Sequence, residues 1–212
     1  GIYDPEYKAR SLGFYSMLLE IIYCQENGIR YFYPGYVAPG NSRFDYKLRI
    51  GPVEYYDLDT LDWRPYAELD LSEIPLEKMR SRLEKMQVFA GNRGHAFPLL
   101  FNPIFEANLI SYLEEEPVGS FLDYPIMLFC GRSQDSGRFY IIVYDPRSSA
   151  YKLLCCLLSL QLWFHFHQAI KANFDPEEFL QIPLSVEEVV ATGSSPEELY
   201  HRLQPLLQVL KP

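Results

Sequence analysis

Apolar residues recur at Leu12, Tyr15, Leu18, Leu19, Ile22 and Tyr23, the i, i+3, i+4, i+7 spacing of a one-faced helix. The pattern predicts a helix opening at Ser11, and Gly28 stands where a C-terminal stop belongs. Ile29 to Val37 then reads as a strand and Pro39-Gly40-Asn41-Ser42 as a turn. Residues 1 to 37 are therefore expected to run strand end, helix, strand, the second half of a β-α-β unit. Short extended pieces follow around Val53 to Tyr56 and Trp63 to Tyr66. Pro75 to Gln87 predicts a helix with proline near its first turn, and Met79, Leu83 and Met86 make its packing stripe. Ile104 to Glu115 reads as another helix. Tyr124 to Cys130 and Arg138 to Tyr144 flank a polar, glycine-bounded segment and read as a hairpin. A long helix is expected over 149 to 172, and Ser195-Pro-Glu-Glu198 is a capping signature for a last helix, Leu199 to Leu210, kinked at Pro205.

The run Leu153 to Phe166 is the most apolar of the chain. It falls short of the ~18–20 residues of a membrane span, and Ser159, Gln161, His165 and His167 interrupt or flank it. A buried core helix is the expectation. His165 and His167 are two residues apart, so on a helix they point to different faces and do not form a metal pair. His95, in a glycine-flanked loop, is a surface histidine that could serve as a general base.

At 212 residues, 48% hydrophobic and 16% aromatic, the chain can bury a sizeable core and is not a disordered sequence. The formal charge of −9 argues against wholesale wrapping of nucleic acid. Its distribution changes the picture. Through residue 50 six cations face five carboxylates, a balance of +1, so the other 162 residues carry −10. A polyanion site belongs in the first quarter, as a local patch. Cys24, Cys130, Cys155 and Cys156 show neither CxxC nor metal-finger spacing; Cys155 and Cys156, in an apolar run, read as buried free thiols, and the expectation is a reducing, cytoplasmic compartment. The first residues do not read as a signal or transit peptide. Gly1 leads almost directly into a motif with no initiator methionine, so a fragment whose upstream part is missing is the expectation.

Tyr31 to Lys47 carries the strongest chemical signal. Six aromatics and two Pro-Gly pairs share seventeen positions, with cations at Arg43, Lys47 and Arg49. An ordinary core strand alternates apolar and polar residues and does not need glycine twice. Aromatic faces, hydroxyls, positive charge and an open backbone suit a ligand site. Upstream, Arg10, Ser11 and Gly13 lie at the mouth of a helix, where unpaired N–H groups and the dipole can hold a phosphate. A plain N-cap at Ser11 with a structural glycine is the alternative reading there.

Together the two segments, YDPEYKARSLGFY and IRYFYPGYVAPGNSRFDYKLRIGP, resemble the C-terminal domain of arginyl-tRNA–protein transferases and their bacterial leucyl-type relatives. Tyr3, Asp4, Pro5, Tyr7, Ser11, Leu12, Gly13, Tyr15, Tyr33, Gly35, Tyr36, Gly40, Tyr46, Lys47 and Pro52 fall on the family pattern, and Trp63 and Pro65 fit loosely. The resemblance covers about residues 1 to 66. Where the family has a Cys-Pro-Lys-Met turn this chain has Asn41-Ser-Arg-Phe44, which keeps a cation at Arg43.

The resemblance implies an α+β fold: a GNAT-like mixed sheet flanked by helices, its N-terminal strands missing here, over residues 1–66. Residues 67–212 would form a further α/β accessory region. It implies an enzyme that moves an aminoacyl group, arginine or a related amino acid, from charged tRNA to the α-amine of an acceptor protein's N-terminus. Aminoacyl-tRNA would be the co-substrate and no cofactor is called for, because ester aminolysis needs only ammonium deprotonation, an oxyanion donor and positioning. On this reading Arg10, Ser11 and Gly13 would cradle the terminal phosphates or the 3′ adenosine. Lys47, Arg43 and Tyr46 would line the phosphate site. Tyr33 and Tyr36 would stack on the terminal base or orient the carbonyl, and Asp4 or Asp45 would hold an amine or a ribose hydroxyl. A partly buried tyrosine with a satisfied hydroxyl is the alternative at each aromatic position. Two other functions share the same residues: a GNAT-type transferase with another acyl donor, and a non-catalytic interaction protein on a decayed core.

Overall fold

The computed structural model describes residues 5–39, 42, 44–57, 60–109 and 120–211. They fall into two units, Gly1–Leu71 and Ser72–Pro212.

In the first unit, Pro5–Arg10 is a 3-10 helix rather than the expected strand end. Ser11 then turns left-handed (φ 49°, ψ 47°), and α1 spans Leu12–Glu26. Asn27 caps it and Gly28 takes φ 67°, the left-handed stop that its sequence position predicts. Residues 29–38 are not a strand: no described segment pairs with them. An extended run becomes a strand only when a neighbour completes its ladder. Asp45–Ile50 is a second 3-10 helix. β1 (Glu54–Asp57) and β2 (Asp62–Pro65) form an antiparallel hairpin in which Tyr56 faces Trp63. Among the described residues of this unit only Met17 is buried, and Tyr15, Leu18, Leu19, Ile22 and Tyr23 of α1 are exposed.

The second unit begins with α2 (Pro75–Gly91), opened by its proline and running one turn beyond the expected end. Then come β3 (Leu99–Phe101), β4 (Ser120–Phe121), β5 (Ile126–Ser133), β6 (Phe139–Asp145), β7 (Ala150–Leu158), α3 (Leu160–Asn173), β8 (Leu184–Gly193), α4 (Pro196–Leu207) and β9 (Leu210–Lys211). The strands form one sheet in the order β3-β5-β6-β7-β8-β4, with β9 also on β5. Every ladder in it is antiparallel, and among the described residues the one parallel pairing is an isolated bridge between Phe101 and Phe179. The protein is thus α+β, a sheet flanked by helices. The seven-stranded sheet belongs wholly to residues 72–212.

Both faces of its centre are covered. On one, Met79, Leu83, Met86 and Ala90 of α2 and Leu199, Tyr200 and Leu203 of α4 pack on Ile126, Leu128, Ile142 and Leu153. On the other, Met127, Ile141, Val143, Leu154 and Cys156 meet Leu122, Leu180 and Leu184. The Tyr151 hydroxyl, buried with its ring, donates to the Arg82 carbonyl at 3.0 Å and ties β7 to α2.

Two-sided burial explains the main correction to the sequence reading. The expected helix over 149–172 is a strand, β7, followed by a helix, α3. A strand buried on both faces has no alternation to distinguish it from a buried helix. Ser159 divides the two, its Oγ accepting from the Leu162 N–H at 3.2 Å as an N-cap. The expected helix at 104–115 is, over 104–109, a turn and one short 3-10 segment, Ala107–Leu109; its remainder, 110–115, lies outside the described residues. Asn102, buried, accepts from the Ile104 N–H and donates to the Leu122 carbonyl, side-chain bonds that compete with a helix start. The hairpin of β5 and β6 and the Ser195 cap of α4, whose Oγ accepts from the Glu198 N–H, match expectation. α4 continues through Pro205 and ends at Leu207, so that proline sits in the last turn.

All four cysteines are free, three of them buried. Burial pushes the Cys130 and Cys156 thiols up, and burial with a hydrogen bond to the Glu187 carboxylate pushes Cys155 up to about 11. Arg138 holds that carboxylate through a two-pronged ion pair, Nη2 to Oε1 at 2.7 Å and Nε to Oε2. Among the described residues no helix is long and apolar enough to cross a membrane.

Asp145, at the end of β6, is a strongly held carboxylate. Burial works to raise its pKa, but hydrogen bonds from Lys152 (2.7 Å) and from the Arg147 backbone (3.0 Å) and side chain outweigh it and hold it at about 2. The unfolded value lies near 3.8. Its contribution is complete above that value and disappears as pH falls through about 2. Asp145→Asn is expected to lower stability by about 2 kcal/mol at pH 7 and by much less at pH 2, measured by urea unfolding at both pH values.

Candidate functional site

The two sequence segments singled out above meet at Gly13. A Cβ placed there would lie 3.2 Å from Tyr46 Cε2 and from its hydroxyl oxygen. The first turn of α1 and the 3-10 helix at 45–50 are therefore in direct contact, and the missing side chain at 13 is the space that the Tyr46 ring uses. The close approach that Gly13 permits is made by protein.

One residue further along, Lys47 ties down the Pro34-Gly35 segment. Its Nζ donates to the Tyr36 carbonyl at 2.6 Å and lies 3.5 Å from where a Cβ on Gly35 would be. Gly35 has φ 79°, a conformation that glycine adopts without strain. The ammonium also stands 5.5 Å from the Phe44 ring centre. One charge thus holds the segment that presents Tyr36, a residue 91% exposed.

Tyr33, on the same segment, joins an aromatic cluster. Its ring lies 5.7 Å from Trp63, which lies 5.3 Å from Tyr56, both pairs tilted. Tyr56 was not among the sequence candidates. The signal for it was the hairpin register, which sets it directly opposite Trp63. Arg49, the cation that follows Lys47 in the signal segment, holds its guanidinium 4.9 Å from the Phe14 ring centre, a second contact between the two segments.

Arg10 is exposed at the end of the first 3-10 helix, its guanidinium 5.5 Å from the Tyr7 ring centre. Ser11 is not the plain N-cap. Its left-handed backbone carries no side-chain cap bond, and its carbonyl accepts from the Phe14 and Tyr15 N–H groups. The hydroxyl therefore leaves the first N–H groups of α1 uncapped by a side chain. Asp45 is exposed in the first turn of its 3-10 helix. Asp4 and Arg43 lie outside the described residues.

The lesser candidates have structural partners. His95 Nδ1 is 2.9 Å from the Tyr200 hydroxyl. His167 stacks on Trp163, with 4.5 Å between ring centres. Among the described residues no group of three or more His, Cys, Asp or Glu could hold a metal ion.

This geometry defines a small aromatic and cationic surface with an exposed helix start, on an α+β protein. Comparison with known proteins places that surface in the part of the chain that has relatives. Residues 1–57 match the family model described as "Arginine-tRNA-protein transferase, C terminus". A protein of Leptospira interrogans named aspartate/glutamate leucyltransferase is 48% identical over 53 residues, 25% of this chain and 21% of its own. Proteins with the same name from Stenotrophomonas maltophilia (strain K279a) and Hyphomonas neptunium are 38% identical over 55 and 66 residues. They cover 26% and 31% of this chain, and 22% and 25% of their own lengths. The chain thus spans about a fifth to a quarter of the length of these curated relatives. No solved structure matches it.

The packing at Gly13 generates a test. Alanine is better than glycine in a helix by ~1 kcal/mol, but here its methyl must displace the Tyr46 ring. Gly13→Ala alone is expected to bring no gain in α1 stability, while the same change in a Tyr46→Ala background recovers it. Amide hydrogen exchange across α1 in the four proteins of the cycle measures the coupling, expected at ~0.5 kcal/mol or more.

Proposed function

We propose that the surface formed by α1 and residues 30–50 binds the charged 3′ end of an aminoacyl-tRNA, and that the protein carrying it transfers the aminoacyl group to a protein N-terminus. The reading rests on the match of residues 1–57 to a transferase family model together with one observation: Lys47 and Tyr46 tie the Tyr33–Tyr36 segment to the start of α1.

The chemistry is ester aminolysis. The acceptor's neutral α-amine attacks the aminoacyl carbonyl carbon, a C–N bond forms and the C–O bond to the ribose breaks. The proton lost by the amine ends on the ribose hydroxyl. Positioning and charge supply most of what such a step needs. Tyr33, with Trp63 and Tyr56 behind it, offers a stacking face for the terminal base. Lys47 and Arg10 supply positive charge for phosphate, within a first fifty residues whose balance is +1. Tyr36 presents a hydroxyl near the carbonyl, and Asp45 is the described carboxylate placed to hold an amine or a ribose hydroxyl. Asp4 and Arg43 complete the proposal from sequence alone. The relatives' name suggests leucine as the group transferred and N-terminal aspartate or glutamate as acceptor; the family model's name suggests arginine.

The test is transfer of labelled leucine or arginine from charged tRNA to peptides beginning with Asp or Glu, by the whole natural protein containing this chain. Transfer is expected from one of the two, and Lys47→Ala should lower it about 10- to 100-fold, the worth of one charged hydrogen bond. No transfer from either tRNA by folded protein would refute the proposal.

A further inference from the structure

The second unit carries a cationic cavity that neither the sequence pattern nor the transferase reading touches. It measures about 500 Å³ and is lined by Arg132, Ser133, Gln134, Gly137 and Lys211. Arg132 on β5 and Lys211 on β9 are directly opposed partners of an antiparallel ladder. Directly opposed residues share a face of the sheet, and like charges there repel. Among the described residues neither has a carboxylate within ion-pair distance. Asp135, in the adjoining turn, is exposed and does not line the cavity. Two unneutralised cations thus face one cavity within 162 residues whose net charge is −10.

The backbone holds them in this arrangement. Gly131 sits at a β-bulge with φ 130°, and a Cβ there would come within 2.3 Å of the Lys211 carbonyl oxygen. Only glycine allows β9 to lie this close. Arg132 is oriented in advance: its Nε donates to the Gly137 carbonyl at 3.2 Å, its plane stands 5.3 Å from the Phe139 ring centre, and Gly137 leaves room beside Nη2. A guanidinium fixed through Nε and its face has its Nη edge left for a ligand, the edge that matches two oxygens of an oxyanion.

We propose that this cavity binds the phosphate group of a small phosphomonoester, with Arg132 and Lys211 as its cationic clamp and the Ser133–Gly137 turn at its rim. The volume lies within the range of small-ligand sites and leaves room for more than the phosphate.

Calorimetric titration of the full chain with inorganic phosphate and with glycerol phosphate, at fixed ionic strength with chloride as the control, tests the proposal. Saturable binding with a dissociation constant on the order of 1 mM or tighter, stronger for the ester, is expected. Arg132→Gln and Lys211→Gln should each weaken it about tenfold or more. If Arg132→Gln fails to fold, Lys211→Gln, at the exposed end of a two-residue strand, carries the comparison alone. Lys211→Glu should abolish binding and, by pairing with Arg132, raise the ligand-free melting temperature by roughly 1–3 °C. Equal heats from phosphate and chloride, binding unchanged in Lys211→Gln, or a preference for an RNA oligomer over glycerol phosphate would overturn it.

Discussion

Ile141 and Ile142 are neighbours on β6, so they point to opposite faces of the sheet, and both are fully buried. That single constraint, burial on two sides at the centre of an antiparallel sheet, governs residues 72–212. An antiparallel sheet commonly leaves one face to water; here α2 and α4 cover one face, while the chain around Leu122, Leu180 and Leu184 covers the other. The strands must then be apolar at nearly every position. Polar groups sit at the ends and margins, where several pair: Asp145 with Lys152 and Arg147, Arg138 with Glu187.

The first unit is held together differently. With Met17 as its one buried side chain among those described, it has little core to organise it. Close approaches to backbone take that place: the Tyr46 ring against Gly13, the Lys47 ammonium on the Tyr36 carbonyl and beside Gly35. Such contacts hold the segment around Gly35 and leave its tyrosines exposed. On the proposed function, that exposure would keep stacking faces open to the tRNA end.

Much of the candidate site was legible in the primary structure. Glycine at 13 and 35, tyrosine at 33, 36 and 46 and lysine at 47 are sequence candidates that the fold sets in one small surface. Their pattern identified the segment that proves to have relatives. Tyr56 was hidden because its contribution depends on facing Trp63 across a hairpin. The Arg132–Lys211 opposition was hidden more deeply: nearly eighty positions separate the two residues, and only strand register brings them together.

The fold divides along the same line. Helix periodicity, prolines at first turns, glycine stops and the Ser195 cap act within a few residues, so local chemistry alone determined α1, α2 and α4 and the hairpin of β5 and β6. Tertiary structure decided the rest. Leu153 to Leu158 is a strand because β6 and β8 lie on either side to accept its hydrogen bonds. Residues 29–38 are not a strand because no described neighbour does the same. An apolar or extended sequence states only that a segment prefers burial or extension; whether it becomes a helix, a strand or neither is settled by which backbone partners the folded chain brings within reach.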